Sequence, residues 1–223
     1  MRGGSKGLRN KHLRKINGDP LFFYTLRQAH KSKLFDAIVI STDSKKISQL
    51  SLGQNVDYII NRPKKLASDK AGKIEVIRHA LFQSERYFNK KFGVIFDLDA
   101  TSPLRKISDI RNAYNQWKKS KSPNLISVTQ ARKNPYFNQV EVINNSVKLI
   151  KKTKKNTVRR QDSPKVYDLN ASIYIWERKS LLSFNSLFNK NTSLYIMPGE
   201  RSIDIDSQLD FVMVKLLMKN RKL

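Results

Sequence analysis

Apolar runs of strand length alternate with amphipathic stretches through the first 130 residues, and little else about the chain limits its fold so strongly. The run Ala37-Ile38-Val39-Ile40-Ser41 reads as a strand that a parallel sheet covers on both faces. Val56–Ile60, Gly93–Asp97 and Leu125–Thr129 read as further strands. Helices fall between them. Gly18-Asp19-Pro20 places a proline at a first turn, and Leu21, Phe22, Tyr24, Leu26 and Ala29 follow at roughly helical spacing. Thr42-Asp43-Ser44 caps a short helix to about Leu52, and Lys73–Tyr87 and Ile107–Lys119 supply two more. Strands alternating with helices predict an α/β fold with a mostly parallel sheet and helices on both faces. Right-handed crossovers then put the strand C-termini on one edge, where such folds bind ligands.

The rhythm changes after residue 132. Gln139–Ile143 and Ser146–Ile150, joined at Asn144-Asn145, predict a β-hairpin, and a basic, irregular stretch runs from Lys151 to Lys165. Ser172–Trp176 returns to a strand, and Ser207–Met218 closes the chain as an amphipathic helix. At 223 residues the simplest expectation is one domain over 1–223, with 133–168 as an excursion from it.

The N-terminal loop carries the first chemical signal. Half of the eight glycines fall in the first eighteen residues, among the cations of Arg2-Gly3-Gly4-Ser5-Lys6-Gly7-Leu8-Arg9-Asn10-Lys11-His12. Consecutive backbone N–H groups in a glycine turn form an anion-binding concavity, and Arg2, Lys6 and Lys11 add positive charge, so a polyphosphate is the natural ligand. Neither Gly-Lys-Ser/Thr nor the G-x-G-x-x-G spacing is present. A phosphate loop of this kind follows a buried strand. Either the loop hangs free, or a first strand is missing from this sequence.

Acids supply the second signal. Asp97 and Asp99 stand at i and i+2 at a strand end and so point to one side, where they either bind Mg²⁺ or substrate hydroxyls, or sit solvated before a helix. Asp204 and Asp206 repeat the spacing between Ile203 and Ile205. With 18 acids against 44 Lys and Arg, this second pair reads as a Mg²⁺ site, the alternative being the cap of the closing helix. Mg²⁺ takes one or two carboxylates together with phosphate oxygens and water.

Other chemistries find little support. The chain lacks cysteine, which removes disulfides, thiolate metal sites and a Cys nucleophile. His12, His30 and His79 lack zinc spacing, and no Gly-x-Ser-x-Gly elbow is present. No apolar run reaches membrane length and no secretory signal opens the chain, so the cytoplasm is the default compartment. The net charge of +26 raises nucleic-acid binding as a rival reading. The lysines are nevertheless scattered, and four clustered aspartates have little use in a nucleic-acid groove.

Five short motifs in order resemble the acylneuraminate cytidylyltransferases, the CMP-sialic acid synthetases, along the whole chain. They are Arg2–Gly7 with Lys11-His12; Arg62-Pro63 with Leu66-Ala67-Ser68-Asp69; Thr101-Ser102-Pro103-Leu104-Arg105; Arg160-Gln161 with Asn170-Ala171-Ser172-Ile173-Tyr174; and Asp204-Ile205-Asp206. The resemblance implies a Rossmann-like domain of the nucleotide-diphospho-sugar transferase type, a homodimer built through the 133–168 excursion, and Mg²⁺ as cofactor. It implies that CTP and a nine-carbon 2-keto sugar acid give a CMP-sugar and pyrophosphate. Carried over by position, Arg2, Gly3, Gly4, Ser5, Lys6, Lys11 and His12 would hold the nucleotide, with Arg62, Ala71 and Lys73 near the base. Asp99, Thr101, Arg132, Tyr136, Arg160, Gln161 and Asn170 would lie by the sugar, and Asp204 and Asp206 would hold the metal. Arg2, Lys11 and Asp99 are the expected catalytic residues. His12, Lys73 and Asp99 depart from the sialic acid pattern. Asp97-Leu98-Asp99 and Asn134-Pro135-Tyr136-Phe137-Asn138 look more like the legionaminic acid branch. Kdo-like or pseudaminate-like acids, or an inactive truncated relative, are the remaining alternatives.

Overall fold

The computed structural model describes residues 1–4, 7–153 and 159–219. Two short strands, β1 (Lys15–Ile16) and β2 (Asp19–Pro20), form a small antiparallel turn before α1 (Leu21–Ser32). Then come β3 (Val39–Thr42), α2 (Lys45–Ser51), β4 (Tyr58–Asn61), α3 (Lys73–Phe88), β5 (Val94–Leu98), α4 (Ile107–Ser120) and β6 (Asn124–Gln130). The hairpin β7 (Val140–Ile143) and β8 (Ser146–Leu149) leads to the long β9 (Tyr167–Glu177). The chain ends through α5 (Arg178–Ser183), β10 (Ser193–Met197) and α6 (Gln208–Lys219).

The main sheet has the order β10-β6-β9-β5. Ser172–Trp176 of β9 are all buried, and successive side chains turn to opposite faces between two helical layers. Ile173 and Ile175 pack with Ile110 and Ala113 of α4, while Tyr174 and Trp176 pack with Ile74, Ile77 and Leu81 of α3. Those α3 and α4 positions recur three or four residues apart, so each helix turns one apolar stripe to the sheet. The α/β layering matches the expectation, but the strand directions are more mixed. β10 runs parallel to β6, whereas β9 runs antiparallel to both β6 and β5. β3 and β4 form a separate parallel pair, packed through Ile40 on Phe22, Phe23 and Leu26 of α1 and on Ile47 of α2.

The hairpin forms at the expected place. Asn144 and Asn145 both take positive φ, 49° and 59°, the backbone that a tight two-residue hairpin turn demands. The excursion closes slightly earlier than 168, because Tyr167 and Asp168 already pair with Gln130 and Thr129 of the main sheet.

Candidate active site

The C-terminal ends of β3 and β5 carry the charged groups, as the edge rule requires. After β5 the chain turns through Asp99-Ala100-Thr101. Both the amide N–H and the hydroxyl of Thr101 donate to Asp99 Oδ1, at 3.1 and 2.8 Å. Arg105 lies beneath this turn, fully buried. It donates to the Ser172 carbonyl at 2.5 Å and to Thr25 Oγ1 at 3.1 Å. Gln28 Nε2 donates to the carbonyls of Pro103 and Arg105 at 2.8 and 2.7 Å. The arginine of Thr-Ser-Pro-Leu-Arg is thus a brace that holds Asp99 in place from below.

Lys73, at the first turn of α3, reaches the same carboxylates. Its Nζ lies 2.8 Å from Asp97 and 3.5 Å from Asp99, and 4.2 Å from the centre of the Tyr174 ring. Burial pulls the ammonium pKa down, but the two aspartates outweigh burial and hold it above its ordinary value. Burial likewise pushes Asp99 up, and Lys73 with the Thr101 hydrogen bonds overcomes it, so Asp99 is held ionised below the usual carboxylate range.

The N-terminal loop is fastened to both flanking segments. Gly3 N–H donates to Asp43 Oδ1 at 2.7 Å beyond β3, and Arg2 pairs with Asp69. Lys11 Nζ reaches Asp206 Oδ1 at 2.8 Å and the Ile205 carbonyl at 3.0 Å. Gly7 lies so close to the Asp206 carbonyl that a Cβ there would meet it at 2.4 Å. His12 is buried, and burial followed by the neighbouring N-terminal ammonium pushes its pKa down to about 3, so the ring is neutral.

The acidic segment is held from two sides. Ile205 N–H donates to the Thr101 carbonyl at 3.1 Å. Upstream, Arg201 makes two 2.9 Å bonds to Asp109 at the start of α4. Asp204 Oδ1 is buried without a hydrogen-bond partner. Burial, with Asp99 and Asp206 adding to it against the Thr101 hydrogen bond, pushes the Asp204 carboxyl up to about 6. An orphaned buried carboxylate oxygen beside a cationic loop suits a divalent cation. Among the described residues no three His or acidic side chains converge as a closed metal cage. The donor set therefore fits a cation that also takes oxygens from a bound phosphate and water.

A cytidylyltransferase family profile matches residues 1–212. The chain belongs to the cytidylyltransferase family. Post-translational flagellin modification protein B of Campylobacter coli is 46% identical over 222 residues, covering 100% of this chain and 94% of that protein. The CMP-N,N′-diacetyllegionaminic acid synthase of Campylobacter jejuni is 45% identical over the same length and shares. A solved CMP:2-keto-3-deoxy-manno-octonic acid synthetase complexed with CTP superposes with a TM-score of 0.70 at 14% identity, covering 98% of this chain and 95% of that one; this match speaks to the fold.

In this cytidylyltransferase, hydrogen bonds gather one set of the expected site residues: Gly3 at Asp43, Lys11 at Asp206, and Lys73, Asp99 and Thr101 together. Arg62 sits alongside, with Nε 3.0 Å from Ser41 Oγ and Nη2 2.8 Å from the Ser41 carbonyl. Gly4 faces open space, and Ala71 closes a turn onto Ser68 just before α3. A second set gathers around Ala131, where β6 ends. Arg160 donates to the Ala131 carbonyl at 3.1 Å, Tyr136 N–H donates to Asn134 Oδ1 at 2.9 Å, and Arg132 and Gln161 are exposed. Ser5 and Lys6 lie outside the described residues.

Asn170, expected by the sugar, is held within the fold. It is buried, its Oδ1 accepts from Ser127 at 2.6 Å, and its Nδ2 donates to Ser202 at 3.0 Å. The amide joins β9 to β6 and to the segment before Asp204, so its described bonds are structural. Sequence reasoning missed Asp43 as a partner of the glycine loop, the Tyr174 ring under Lys73, and the brace role of Arg105. The last was open to detection, because an arginine closing a Ser-Pro turn ahead of a helix needs acceptors.

Proposed function

We propose that the chain transfers CMP from CTP to a nine-carbon 2-keto sugar acid of the legionaminate type, releasing pyrophosphate. The observation that carries this reading is the seat of the cationic glycine loop directly on the Asp204–Asp206 segment, through Gly7 and Lys11. A triphosphate needs that combination: mobile cations and backbone N–H groups on one side, carboxylates for a bridging cation on the other.

In this reading Arg2, Gly3, Gly4, Ser5, Lys6 and Lys11 hold the phosphates, and neutral His12 supports the loop from below. Arg62 and Ala71 border the base. Asp204 and Asp206 would hold Mg²⁺, which when bound neutralises charge on the triphosphate. The anomeric hydroxyl oxygen of the sugar bonds to the α-phosphorus as its proton passes to water, the bond from that phosphorus to the bridging oxygen breaks, and pyrophosphate carries the electron pair away. Asp99, held ionised by Lys73 and Thr101, accepts hydrogen bonds from sugar hydroxyls or amides. Arg132, Tyr136, Arg160 and Gln161 at the end of β6 receive the rest of the sugar acid, with the arginines opposite its carboxylate.

The likeness to the legionaminic acid synthase supports a legionaminate-type sugar over sialate. A homodimer formed through β7–β8 is supported by a hairpin with every residue exposed, including Val140, Val142 and Val147. Apolar surface of that kind marks an interface. None of the described helices is long and apolar enough to cross a membrane. The test is pyrophosphate release from CTP and Mg²⁺ with N,N′-diacetyllegionaminate, sialate, pseudaminate or Kdo as acceptor. The legionaminate is expected to give the highest kcat/KM. Failure of all four acids to release pyrophosphate would overturn the reading.

A further inference from the structure

Asp97 and Asp99 have the spacing and the place of a divalent-cation site, yet a cation of the chain already lies between them. Asp97 pairs across the sheet with Tyr174, so the two side chains share a face. Lys73 crosses that face. Its Nζ stands 4.2 Å from the centre of the Tyr174 ring, 2.8 Å from Asp97 Oδ2 and 3.5 Å from Asp99 Oδ2. Asp99 Oδ1 is engaged by the two hydrogen bonds from Thr101, and Oδ2 is the oxygen that meets the ammonium. Thr101 also hydrogen-bonds Asp204, so the two acid pairs belong to one site.

The helix gives no reason for a cation at this position. Lys73 is the first residue of α3, where the free N–H groups favour an acid and disfavour a positive charge. The reason lies in the two aspartates and the ring. We infer that Lys73 is the chain's own substitute for a second divalent ion: its ammonium fills the seat between Asp97 and Asp99, and the site takes a single Mg²⁺, at Asp204 and Asp206. The inference rests on the proposed reaction and deepens it.

An ammonium and a Mg²⁺ cannot share these oxygens. Mg²⁺ needs them at about 2.0–2.1 Å in a near-octahedral shell, along the directions in which Lys73 donates. A metal entering here would have to drive Lys73 off the Tyr174 ring and leave a partly buried ammonium without its acids. The tethered charge also differs from a metal in when it is present. A cation at Asp204 and Asp206 comes with the triphosphate, whereas Lys73 is fixed beforehand. The Asp99 side of the site is therefore preorganised before either substrate binds, and it needs no reorganisation during transfer.

The test counts Mn²⁺, as a paramagnetic replacement for Mg²⁺, on the full chain with one equivalent of CTP and no sugar acid. The count is read from the loss of the free-ion resonance. The parent is expected to bind one ion per chain and Lys73→Met two, the second entering the vacated seat. Lys73→Met with Asp97→Asn is expected to return the count to one; it also removes a stranded charge that destabilises the single variant. Thermal unfolding without nucleotide is read alongside, and Mn²⁺ is expected to raise the Tm of Lys73→Met more than that of the parent. Two ions on the parent overturn the inference whether or not the single variant folds. One ion on a folded Lys73→Met, or two on the double variant, would overturn it as well. None of these readouts is turnover, so failure here is separable from failure of the four acids to release pyrophosphate.

Discussion

Asp204→Asn is expected to make the protein more stable while abolishing its response to Mg²⁺. The carboxyl is pushed from 3.8 up to about 6 by burial and by the charges of Asp99 and Asp206, and its Oδ1 has no partner. In the unfolded chain the same group titrates near its ordinary value. Between those two values the folded state binds more protons than the unfolded state, so this group costs stability progressively as pH rises through that window. The cost is absent below the unfolded value and complete above the folded one. A shift of two units corresponds to about 3 kcal/mol. Solvent on the open side of the carboxylate screens part of it, leaving about 1–3 kcal/mol. Asparagine has nearly the same shape and no charge, so it escapes the cost. Each kcal/mol moves the Tm of a chain this size by about 2–4 °C. Metal-free calorimetry at about pH 7.5 should therefore show the variant several degrees above the parent, with the difference closing at about pH 3.5. Added Mg²⁺ with CTP should raise the parent's Tm by mass action and leave the variant's unchanged. A variant no more stable than the parent at the higher pH, or one whose advantage persists at the lower pH, would refute the reasoning.

Two further changes probe the placement of the loop and the excursion. A Cβ at Gly7 would meet the Asp206 carbonyl at 2.4 Å, where ordinary contact begins at 3.4 Å. Gly7→Ala must therefore move the loop off the acidic segment by about 1 Å, a displacement that commonly lowers turnover about a hundredfold. Gly53→Ala, which meets nothing within 4 Å, is the matched control in pyrophosphate-release kinetics and thermal unfolding; unchanged kcat/KM in the Gly7 variant would remove the loop from the mechanism. Val142 and Val147 are directly paired across the hairpin and exposed to 69% and 67%. Replacing both with lysine should convert a dimer to a monomer by light scattering without lowering the Tm by more than a few degrees, whereas a monomeric parent would contradict the assigned interface.

The local pattern was legible where one residue type decides the backbone. Asn144-Asn145 specifies its turn, and the spacing of Ile74, Ile77 and Leu81 specifies the buried stripe of α3. The direction of β9 was not legible, because a fully buried strand is continuously apolar whichever way it runs. β10 escaped notice because Ser193–Met197 is an edge strand with alternating burial, and its pattern is brief. Site chemistry followed the same division. The acids at i and i+2 announced themselves by their rarity in a basic chain. Their partners did not, since Lys73 lies 24 and 26 residues before Asp97 and Asp99 and is one lysine among many. The need for glycine at position 7 depends on a carbonyl 199 residues away, a distance no local pattern encodes.

Those pairings bear on how a polyphosphate enters. In this structure the acids of the site hold cations of the same chain: Asp97 and Asp99 share Lys73, Asp206 holds Lys11, and Asp69 holds Arg2. The pairs differ in how readily they part. Asp206 and Asp69 are 75% and 43% exposed, against 16% and 35% for Lys11 and Arg2, so each of these pairs is open to water on its carboxylate side and screened there. Lys73 is wedged against Tyr174 between two acids, and removing it would strand buried charge. On the proposed function, an incoming triphosphate would draw Arg2 and Lys11 away from their water-exposed carboxylates. Asp206 is then released beside Asp204, whose buried oxygen already lacks a partner. On the proposed function, Lys73 would stay in place and keep Asp99 ionised for the second substrate. The free site is nearly self-neutralised, and binding becomes an exchange of partners. The net charge of +26 favours the approach of polyanions, and on the proposed function the four site aspartates would select among them.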